Sequence, residues 1–260
     1  MSETTAPASL DQSELETKVK QIYRAVALNP SGHYHFPMGR GLAERLGYPP
    51  ALLDLVPAAA VESFAGVGYG FDLAELAQGE EVLDLGSGSG MDAFVAAVKV
   101  GAGGRVVGLD MTEEQIRKAE GLRKAADFPQ VAFVHGHIEE LPFADESFDC
   151  VISNGVINLS PDKPSVFREA ARVLRPGGRL AVTDIVTKEQ LATWITCNAD
   201  LWAACIGGAA QSDTYQRAIT DSGFVLGQMK RNPYEFISDR ARAASARYGV
   251  MSVSLLARTR

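Results

Sequence analysis

Residues 82–90 read Val-Leu-Asp-Leu-Gly-Ser-Gly-Ser-Gly. The apolar run from Val82 to Leu85 is typical of a strand that is buried on both faces of a parallel sheet. The three glycines that follow have no Cβ, so the backbone can turn tightly and a ligand can approach the main chain. Residues 91–100 have the pattern of a helix. A strand, a glycine turn and a helix N-terminus together favour a nucleotide-type binding site.

The spacing of the glycines and the acid beside them restrict the class of nucleotide-like ligand that this turn could bind. A dinucleotide fingerprint would place its third glycine one residue after Gly90, and no Lys-Ser/Thr pair follows as in a P-loop. The carboxylate of Asp84 would repel a pyrophosphate but suits a cationic amino acid. S-adenosylmethionine carries both an ammonium and a sulfonium group. We therefore expect Asp84, Gly86, Ser87 and Gly88 to bind this cofactor.

The next strand supports the same cofactor. Residues 105–110, Arg-Val-Val-Gly-Leu-Asp, end in an acid about 20 residues after Gly90. An acid at this place accepts hydrogen bonds from ribose hydroxyls, so Asp110 is a candidate cofactor ligand. Met111 follows, and its thioether is a suitable apolar cover for an adenine ring. The alternative for Asp84 and Asp110 is that they only cap helices.

The composition argues against several classes of function. The chain has 260 residues, 46% hydrophobic and 22% charged, with a net charge of −7. Without a basic run, a nucleic-acid partner is not expected, and no apolar run reaches the ~18 residues that span a bilayer. The first residues are polar, which predicts no signal peptide, and three cysteines make no disulfide framework. We therefore expect a cytoplasmic monomer or homodimer that acts on a small molecule, without a metal site.

Strand and helix patterns alternate over residues 72–260, which predicts an α/β fold with a parallel sheet and helices on both faces. Residues 1–11 are rich in Ser, Thr, Ala and Pro and are expected to be disordered. Residues 12–71 show short helical patterns broken by Pro and Gly, and we expect them to form a helical cap. Thr112 is expected to cap the helix after the second strand, with Gln115 at the capping-box position.

Five stretches of the sequence resemble class I S-adenosylmethionine-dependent methyltransferases, and more narrowly the arsenite methyltransferase family. They are DLGSGSGMD (84–92), GLDMT (108–112), HIEELPF (137–143), VISNGVINLSPDK (151–163) and RVLRPGGRLAVTDIV (172–186). The resemblance implies a Rossmann-like sheet of seven strands in the order 3-2-1-4-5-7-6. The last two strands would then form an antiparallel hairpin.

The resemblance also implies further cofactor contacts. After the third strand, Ile138 is expected to cover the adenine ring and Glu139 to accept its exocyclic amine, unless Glu139 is only a solvated loop charge. After the fourth strand, Asn154 is expected beside the methyl group, where we count it as both a cofactor-binding and a catalytic residue. In related enzymes the segment before the domain covers the methionine end, so Tyr69 is a candidate for contact with the substrate.

Cysteines are the residues through which this family would bind arsenic, because trivalent arsenic is soft and binds thiolates. Of the three positions that the resemblance implies, only the downstream one is present, as Cys205; the middle one is Gly155 and the N-terminal region has none. Cys197 lies eight residues before Cys205 on a helix predicted over 190–204, so both could face one way. A replacement dithiol site and two small buried side chains therefore remain alternatives. Cys150, within a strand, is expected to be inert.

If the acceptor is not arsenic, polar and aromatic side chains would have to bind a small organic molecule. The candidates are His33, Tyr34, Tyr69, Asn158 and Trp202, with His35 as a general base. His33 and His35 are interpreted as loop histidines rather than metal ligands, and Gly155 is expected to leave room for a bulkier acceptor. The alternatives are a C-, O- or N-methyltransferase of natural-product or quinone type and, in another class, a regulatory protein that binds S-adenosylmethionine without catalysis.

Overall fold

The stretch at 82–90 forms the middle of the fold in a computed structural model, which describes residues 10–198, 201–202 and 206–260. The strands, in chain order, are β1 (Glu81–Leu85), β2 (Arg105–Asp110), β3 (Val131–His135), β4 (Phe148–Asn154), β5 (Leu174–Thr187), β6 (Ala210–Gln211), β7 (Phe224–Arg231) and β8 (Met251–Thr259). They make one sheet in the order β3-β2-β1-β4-β5-β8-β7, with β6 paired to β5. The strands β1 to β5 pair in parallel, and β8 is antiparallel to both β5 and β7.

This arrangement confirms the predicted α/β class and strand order, since β7 and β8 are the two final strands of the prediction. The two-residue strand β6 was not predicted, because so short a pairing leaves no pattern in the sequence. Alternation along β1 explains why both faces of the sheet are covered. Val82 belongs to the hydrophobic core on one face, whereas Leu83 and Leu85 belong to the core on the other. Asp84 therefore points to the same side as Val82.

Helices cover both faces of the sheet. They are α1 (Gln12–Leu28), α2 (Gly39–Leu46), α3 (Pro50–Leu53), α4 (Ala58–Glu62), α5 (Phe71–Ala74), α6 (Met91–Val100), α7 (Glu113–Ala125), α8 (Lys163–Val173), α9 (Thr193–Thr196), α10 (Ser212–Asp221) and α11 (Asp239–Tyr248), with a 3-10 turn at Ile157–Leu159. In the part of the chain that the structure describes, no helix has both the length and the apolar character needed to cross a bilayer.

The N-terminal helices are built into the main core. Asp11 caps α1 by accepting hydrogen bonds from the backbone of Ser13 and Glu14, so ordered structure begins inside the segment predicted to be a disordered tail, of which residues 1–9 lie outside the description. One hydrophobic core contains Leu46 and Phe64 from the predicted cap together with Val82 of β1. The predicted boundary at residue 71 therefore does not separate two cores.

One predicted helix needs correction, and one helix of the structure was not predicted. Among the described residues, the helix predicted over 190–204 is interrupted: α9 spans Thr193–Thr196 and ends at Cys197, and the Asn198 side chain then accepts the Leu201 backbone N–H at 3.0 Å. The helix Asp239–Tyr248 was not predicted. Its sequence, DRARAASARY, has few large apolar residues and therefore little hydrophobic periodicity.

Candidate functional site

A cavity of about 630 Å³ opens at the carboxyl ends of β1, β2 and β4, where parallel sheets commonly bind ligands. Helix α1 forms one of its walls, through residues that include Leu15, Val19 and Tyr23. The cavity is lined by all nine residues that the sequence analysis named for the cofactor: Asp84, Gly86, Ser87, Gly88, Asp110, Met111, Ile138, Glu139 and Asn154. The carboxyl ends of neighbouring strands thus bring together residues that are far apart in the chain.

The turn after β1 requires glycine at two positions, Gly86 and Gly90. Gly86 has φ = 68° and Gly90 has φ = 93°, in the left-handed region that disfavours residues with a Cβ. A Cβ on Gly86 would lie 2.5 Å from Val156, and a Cβ on Gly90 would lie 2.6 Å from Phe133. The turn therefore packs closely against its neighbours and leaves its backbone on the cavity.

Asp84 has an unsatisfied oxygen in this cavity. The side chain is 2% exposed, and its Oδ2 has no hydrogen-bond partner within the protein. Burial raises the pKa of Asp84 well above its ordinary value, and repulsion from Asp92 and Asp110 raises it further. A buried carboxyl group without a partner is costly, and a cation placed beside it would favour its charged form. The chemistry of this position fits a cationic ligand.

Asp110 is held in place by the backbone. Its two oxygens accept hydrogen bonds from the N–H of Gly88 at 2.9 Å and the N–H of Thr112 at 2.8 Å. Each carboxylate oxygen can accept a second bond, so this fixed side chain keeps acceptor capacity toward the cavity. At the far rim, Glu139 accepts a hydrogen bond from the Ser160 hydroxyl at 2.5 Å, which joins the loops after β3 and β4.

One residue on the cavity wall, Asp92, was missed by the sequence analysis. Asp92, in the first turn of α6, accepts hydrogen bonds from the Tyr48 hydroxyl at 2.6 Å and the Asn154 amide at 2.9 Å. Asn154 also donates to the carbonyl of Gly68 at 3.0 Å and accepts from the N–H of Val67 at 2.8 Å. The polar atoms of the predicted catalytic Asn154 are thus engaged in holding the segment before the domain.

The expected capping box after β2 is wrong, since Thr112 makes no side-chain cap bond to its helix. Gln115 is 1% exposed and points to the cavity instead. Its oxygen accepts from the Ser89 hydroxyl at 2.5 Å, and its nitrogen donates to the carbonyl of Tyr23 at 2.8 Å. Gln115 therefore ties helix α1 to the glycine turn.

Comparison with known proteins identifies the family. Residues 76–223 match the family model described as a methyltransferase domain. The structure is similar to that of an arsenic(III) S-adenosylmethionine methyltransferase from Chlamydomonas reinhardtii, with a TM-score of 0.67, 33% identity, and 82% of this chain and 74% of that chain covered. This chain belongs to the S-adenosylmethionine-dependent methyltransferases. The predicted family is confirmed.

Two further comparisons bear on this methyltransferase. An arsenite methyltransferase of Halobacterium salinarum is 42% identical over 203 residues, which are 76% of this chain and 51% of that protein. The chain therefore spans about half the length of this curated relative. A geranyl diphosphate C-methyltransferase from Streptomyces coelicolor covers 98% of this chain with a TM-score of 0.69 and 18% identity, which shows the shared fold alone.

The histidine loop of this methyltransferase lies behind the cavity wall. His33, Tyr34 and His35 are not among the described lining residues. Phe36 contacts the Tyr34 and His35 rings and stacks on Tyr23, which does line the cavity, with ring centroids 6.1 Å apart. The Tyr34 hydroxyl donates to the carbonyl of Asn29 at 2.7 Å. The predicted contacts of this loop with a substrate are not supported by its position.

Three other residues that were predicted to bind the methyl acceptor pack outside the cavity wall. Tyr69 contacts the Tyr48 ring, with centroids 4.8 Å apart. Asn158 is fully buried in the turn after β4, and its backbone N–H donates to Asp184 at 2.8 Å. The Trp202 indole donates to the carbonyl of Thr196 at 2.7 Å. None of the three is part of the described lining of the cavity.

No cysteine is among the described residues that line the cavity. Cys205 lies outside the described residues, and Cys197, half-buried at the end of α9, is not among the described lining residues. Burial raises the pKa of Cys150 to about 12, in agreement with an inert thiol. Gly155 lines the cavity, and the Val67 side chain lies 3.3 Å from where a Cβ on Gly155 would be.

A half-buried lysine supports the turn after β4. The Lys163 ammonium donates to the carbonyls of Asn158 at 3.1 Å and Ser160 at 2.9 Å, and it lies 4.8 Å from the centre of the Trp202 ring. Burial lowers the pKa of Lys163 to about 8, whereas the neighbouring charge of Asp184 acts in the opposite direction. Lys163 thereby holds the loop that carries Leu159 and Ser160 against the cavity.

Proposed function

We propose that this protein transfers the methyl group of S-adenosylmethionine to a small molecule that enters the cavity. The observation that supports this most directly is the unpartnered, buried oxygen of Asp84 beside the glycine turn. The methionine end of the donor would supply a cation to this oxygen. A carboxylate would then replace the protonated acid that burial favours when no cation is present.

The other contacts follow along the edge of the sheet. Asp110, fixed by two backbone N–H groups, would accept the ribose hydroxyls. Met111 and Ile138 would enclose the adenine ring, and Glu139, oriented by Ser160, would accept its amine. These residues all line one cavity and follow three successive strands of the sheet, which supports a single extended ligand.

The chain would assist the transfer by positioning the reactants and excluding water. Methyl transfer is an in-line displacement, so orientation and a dry site are the main requirements. Leu15 and Val19 of α1, Phe64 before the domain, and Val156 and Leu159 after β4 supply an apolar wall. An acceptor that is already electron-rich would need no general base. One that must lose a proton would find His137 and Glu16, rather than His35, among the described lining residues.

The charge of the cavity limits the acceptor. None of the described lining residues is Lys or Arg, and residues 1–9, 199–200 and 203–205 contain neither type. We therefore propose an acceptor that carries no negative charge, with arsenite as the first candidate because of the relatives at 42% and 33% identity. A small organic acceptor is the second candidate, favoured by Val67 and Gly155 at the place where a thiol would be needed.

The proposal is tested first by donor binding. We expect calorimetry to detect binding of S-adenosylmethionine and S-adenosylhomocysteine, and Asp84→Asn to weaken it about a hundredfold, since one partner of a buried charge pair is removed. Asp110→Asn should weaken it less. Asp221→Asn, at the end of the distant helix α10, is the matched control. Unchanged binding in Asp84→Asn would refute the assignment of the cavity.

Turnover then separates the two acceptors. The protein is incubated with the methyl donor and either arsenite or uncharged phenols and quinols, beside Cys205→Ser and Cys197→Ser. Methylation of arsenite that is lost in the serine variants supports thiolate binding. Arsenite turnover at full rate in both variants excludes it, and turnover of only an organic acceptor supports the second candidate. Donor binding without any methyl transfer across this panel would instead favour the regulatory alternative.

A further inference from the structure

Asp92 occupies a position on the cavity that the proposed function has not used. Its carboxylate lies in the first turn of α6, is 8% exposed and lines the same cavity as Asp84. Repulsion between Asp92 and Asp84 contributes to the raised pKa of Asp84, which places the two carboxyl groups within electrostatic reach of each other. Two acids therefore face the cavity beside the glycine turn.

Unlike Asp84, Asp92 has a donor on each oxygen. The Tyr48 hydroxyl donates to Oδ1 at 2.6 Å, and the Asn154 amide donates to Oδ2 at 2.9 Å. The same amide lies 3.1 Å from the Tyr48 oxygen, so the three side chains form a closed network. Tyr48 itself is 1% exposed, which leaves no water to replace it as a donor.

The network orients Asp92 and favours its charged form. Burial raises its pKa to about 6, while the bonds from Tyr48 and Asn154 act to lower it. The pKa of Tyr48 is raised well above 10 by burial and by Asp92 and Asp84, so its hydroxyl stays a donor. The other titratable group that responds to Asp92 is Tyr69 on the neighbouring segment, whose pKa is raised chiefly by burial.

We propose that Asp92 is a second anionic contact for the cationic amino-acid end of the methyl donor, and that Tyr48 is the positioning residue that orients it. The inference rests on the proposed function of the cavity. A ligand cation would then lie between two acids of different character. Asp84 would offer an oxygen with no other partner, and Asp92 would offer the remaining acceptor capacity of a carboxylate whose direction is already set.

The test compares two ligands that differ only at that end. S-adenosylhomocysteine carries the ammonium group, whereas 5′-methylthioadenosine has the same nucleoside and thioether without it. We expect Asp92→Asn and Tyr48→Phe each to weaken binding of S-adenosylhomocysteine at least tenfold, which corresponds to a loss of about 1.4 kcal/mol in binding free energy. Binding of methylthioadenosine should change less than twofold. Tyr248→Phe is the matched control, since the buried Tyr248 hydroxyl has no hydrogen-bond partner in the described part of the chain and Tyr248 is not among the described lining residues.

A pH series separates positioning from general support of the fold. Loss of the Tyr48 hydroxyl removes a donor to the charged form of Asp92, so its pKa rises. We expect the weakening by Tyr48→Phe to be larger at pH 6 than at pH 8. Equal weakening of both ligands, an effect independent of pH, or wild-type affinity in both variants would overturn the inference. Failure of the wild-type protein to bind either ligand would refute the proposed function itself, and thermal unfolding curves identify any variant that does not fold.

Discussion

The side chain of Val67 lies 3.3 Å from the position that a Cβ would take on Gly155. Gly155 has φ = 76°, and Gly177 has φ = 74° with no atom within 4 Å of its Cβ position. A comparison of Gly155 with Gly177 therefore separates the effect of backbone strain from that of steric crowding. We expect Gly177→Ala to destabilise the fold by about 1 kcal/mol and Gly155→Ala by about 1 kcal/mol more, because it adds contact with Val67 to the same strain. Urea unfolding measures both; equal losses would show that Val67 yields without cost.

Gln115 is expected to couple helix α1 to the glycine turn. Gln115→Leu would leave the Ser89 hydroxyl and the Tyr23 carbonyl without their partner, which should cost about 1–3 kcal/mol in the free energy of unfolding. Donor affinity should fall as well, because α1 is part of the cavity wall. Gln216→Leu is the control, since that amide bonds only to Ser212 within its own helix. Loss of stability with intact donor affinity would mean that α1 does not contribute to binding.

Much of the cavity follows from local patterns, whereas the side chains that orient it do not. Asp84 and Asp110 each end a short apolar strand, so their convergence at one edge of the sheet could be predicted. Tyr48 and Gln115 act through partners 44 and 92 residues away, and nothing beside them in the sequence indicates those contacts. The ring contact between Phe36 and Tyr23, which relates the histidine loop to the cavity wall, likewise joins residues that no local pattern connects.

Asp184 should make stability depend on pH. It is fully buried and accepts hydrogen bonds from Tyr215, Asn158 and Ile185, each at 2.8 Å, and burial raises its pKa from 3.8 to about 6. Between these values the folded state retains a proton that the unfolded chain has released. This contribution to stability is therefore present below about pH 4 and is lost as the pH rises through 6.

The corresponding variant cannot titrate at this position. We expect the free energy of unfolding of the wild type, relative to Asp184→Asn, to decrease by about 3 kcal/mol between pH 4 and pH 7.5. Urea unfolding at the two pH values measures the difference, with Asp213→Asn on the first turn of α10 as control. A relative stability that increases with pH would contradict the direction of the shift.

Donor binding should release a proton from the protein. The raised pKa of Asp84 favours its neutral form, and a bound cation would favour the carboxylate. We expect the calorimetric enthalpy of S-adenosylhomocysteine binding, measured over a series of pH values, to differ between buffers of different ionisation enthalpy wherever Asp84 of the free protein is still protonated, with the sign of proton release. Asp84→Asn should abolish the difference even where ligand concentrations are raised to restore binding. Buffer-independent enthalpies in the wild type would show that Asp84 is already charged.

Cys150 should resist alkylation as long as the protein is folded. Its thiol is fully buried in β4 and has a pKa raised to about 12, so almost no thiolate forms at neutral pH. We expect peptide mass spectrometry after iodoacetamide treatment to find Cys150 unmodified in native protein and modified in urea. Cys197, which is half-buried, serves as the internal comparison. Rapid native labelling of Cys150 would indicate that β4 opens.

Helix α1 begins only two residues after the first described position, at a cap formed by Asp11, and within its first turns it presents Gln12, Leu15 and Glu16 to the cavity. An affinity tag joined directly before Asp11 would therefore lie close to the cavity and affect ligand exchange. Dissociation rates measured on such a fusion would reflect the tag, and a protease-removable extension well upstream of residue 10 is the safer choice for kinetic work.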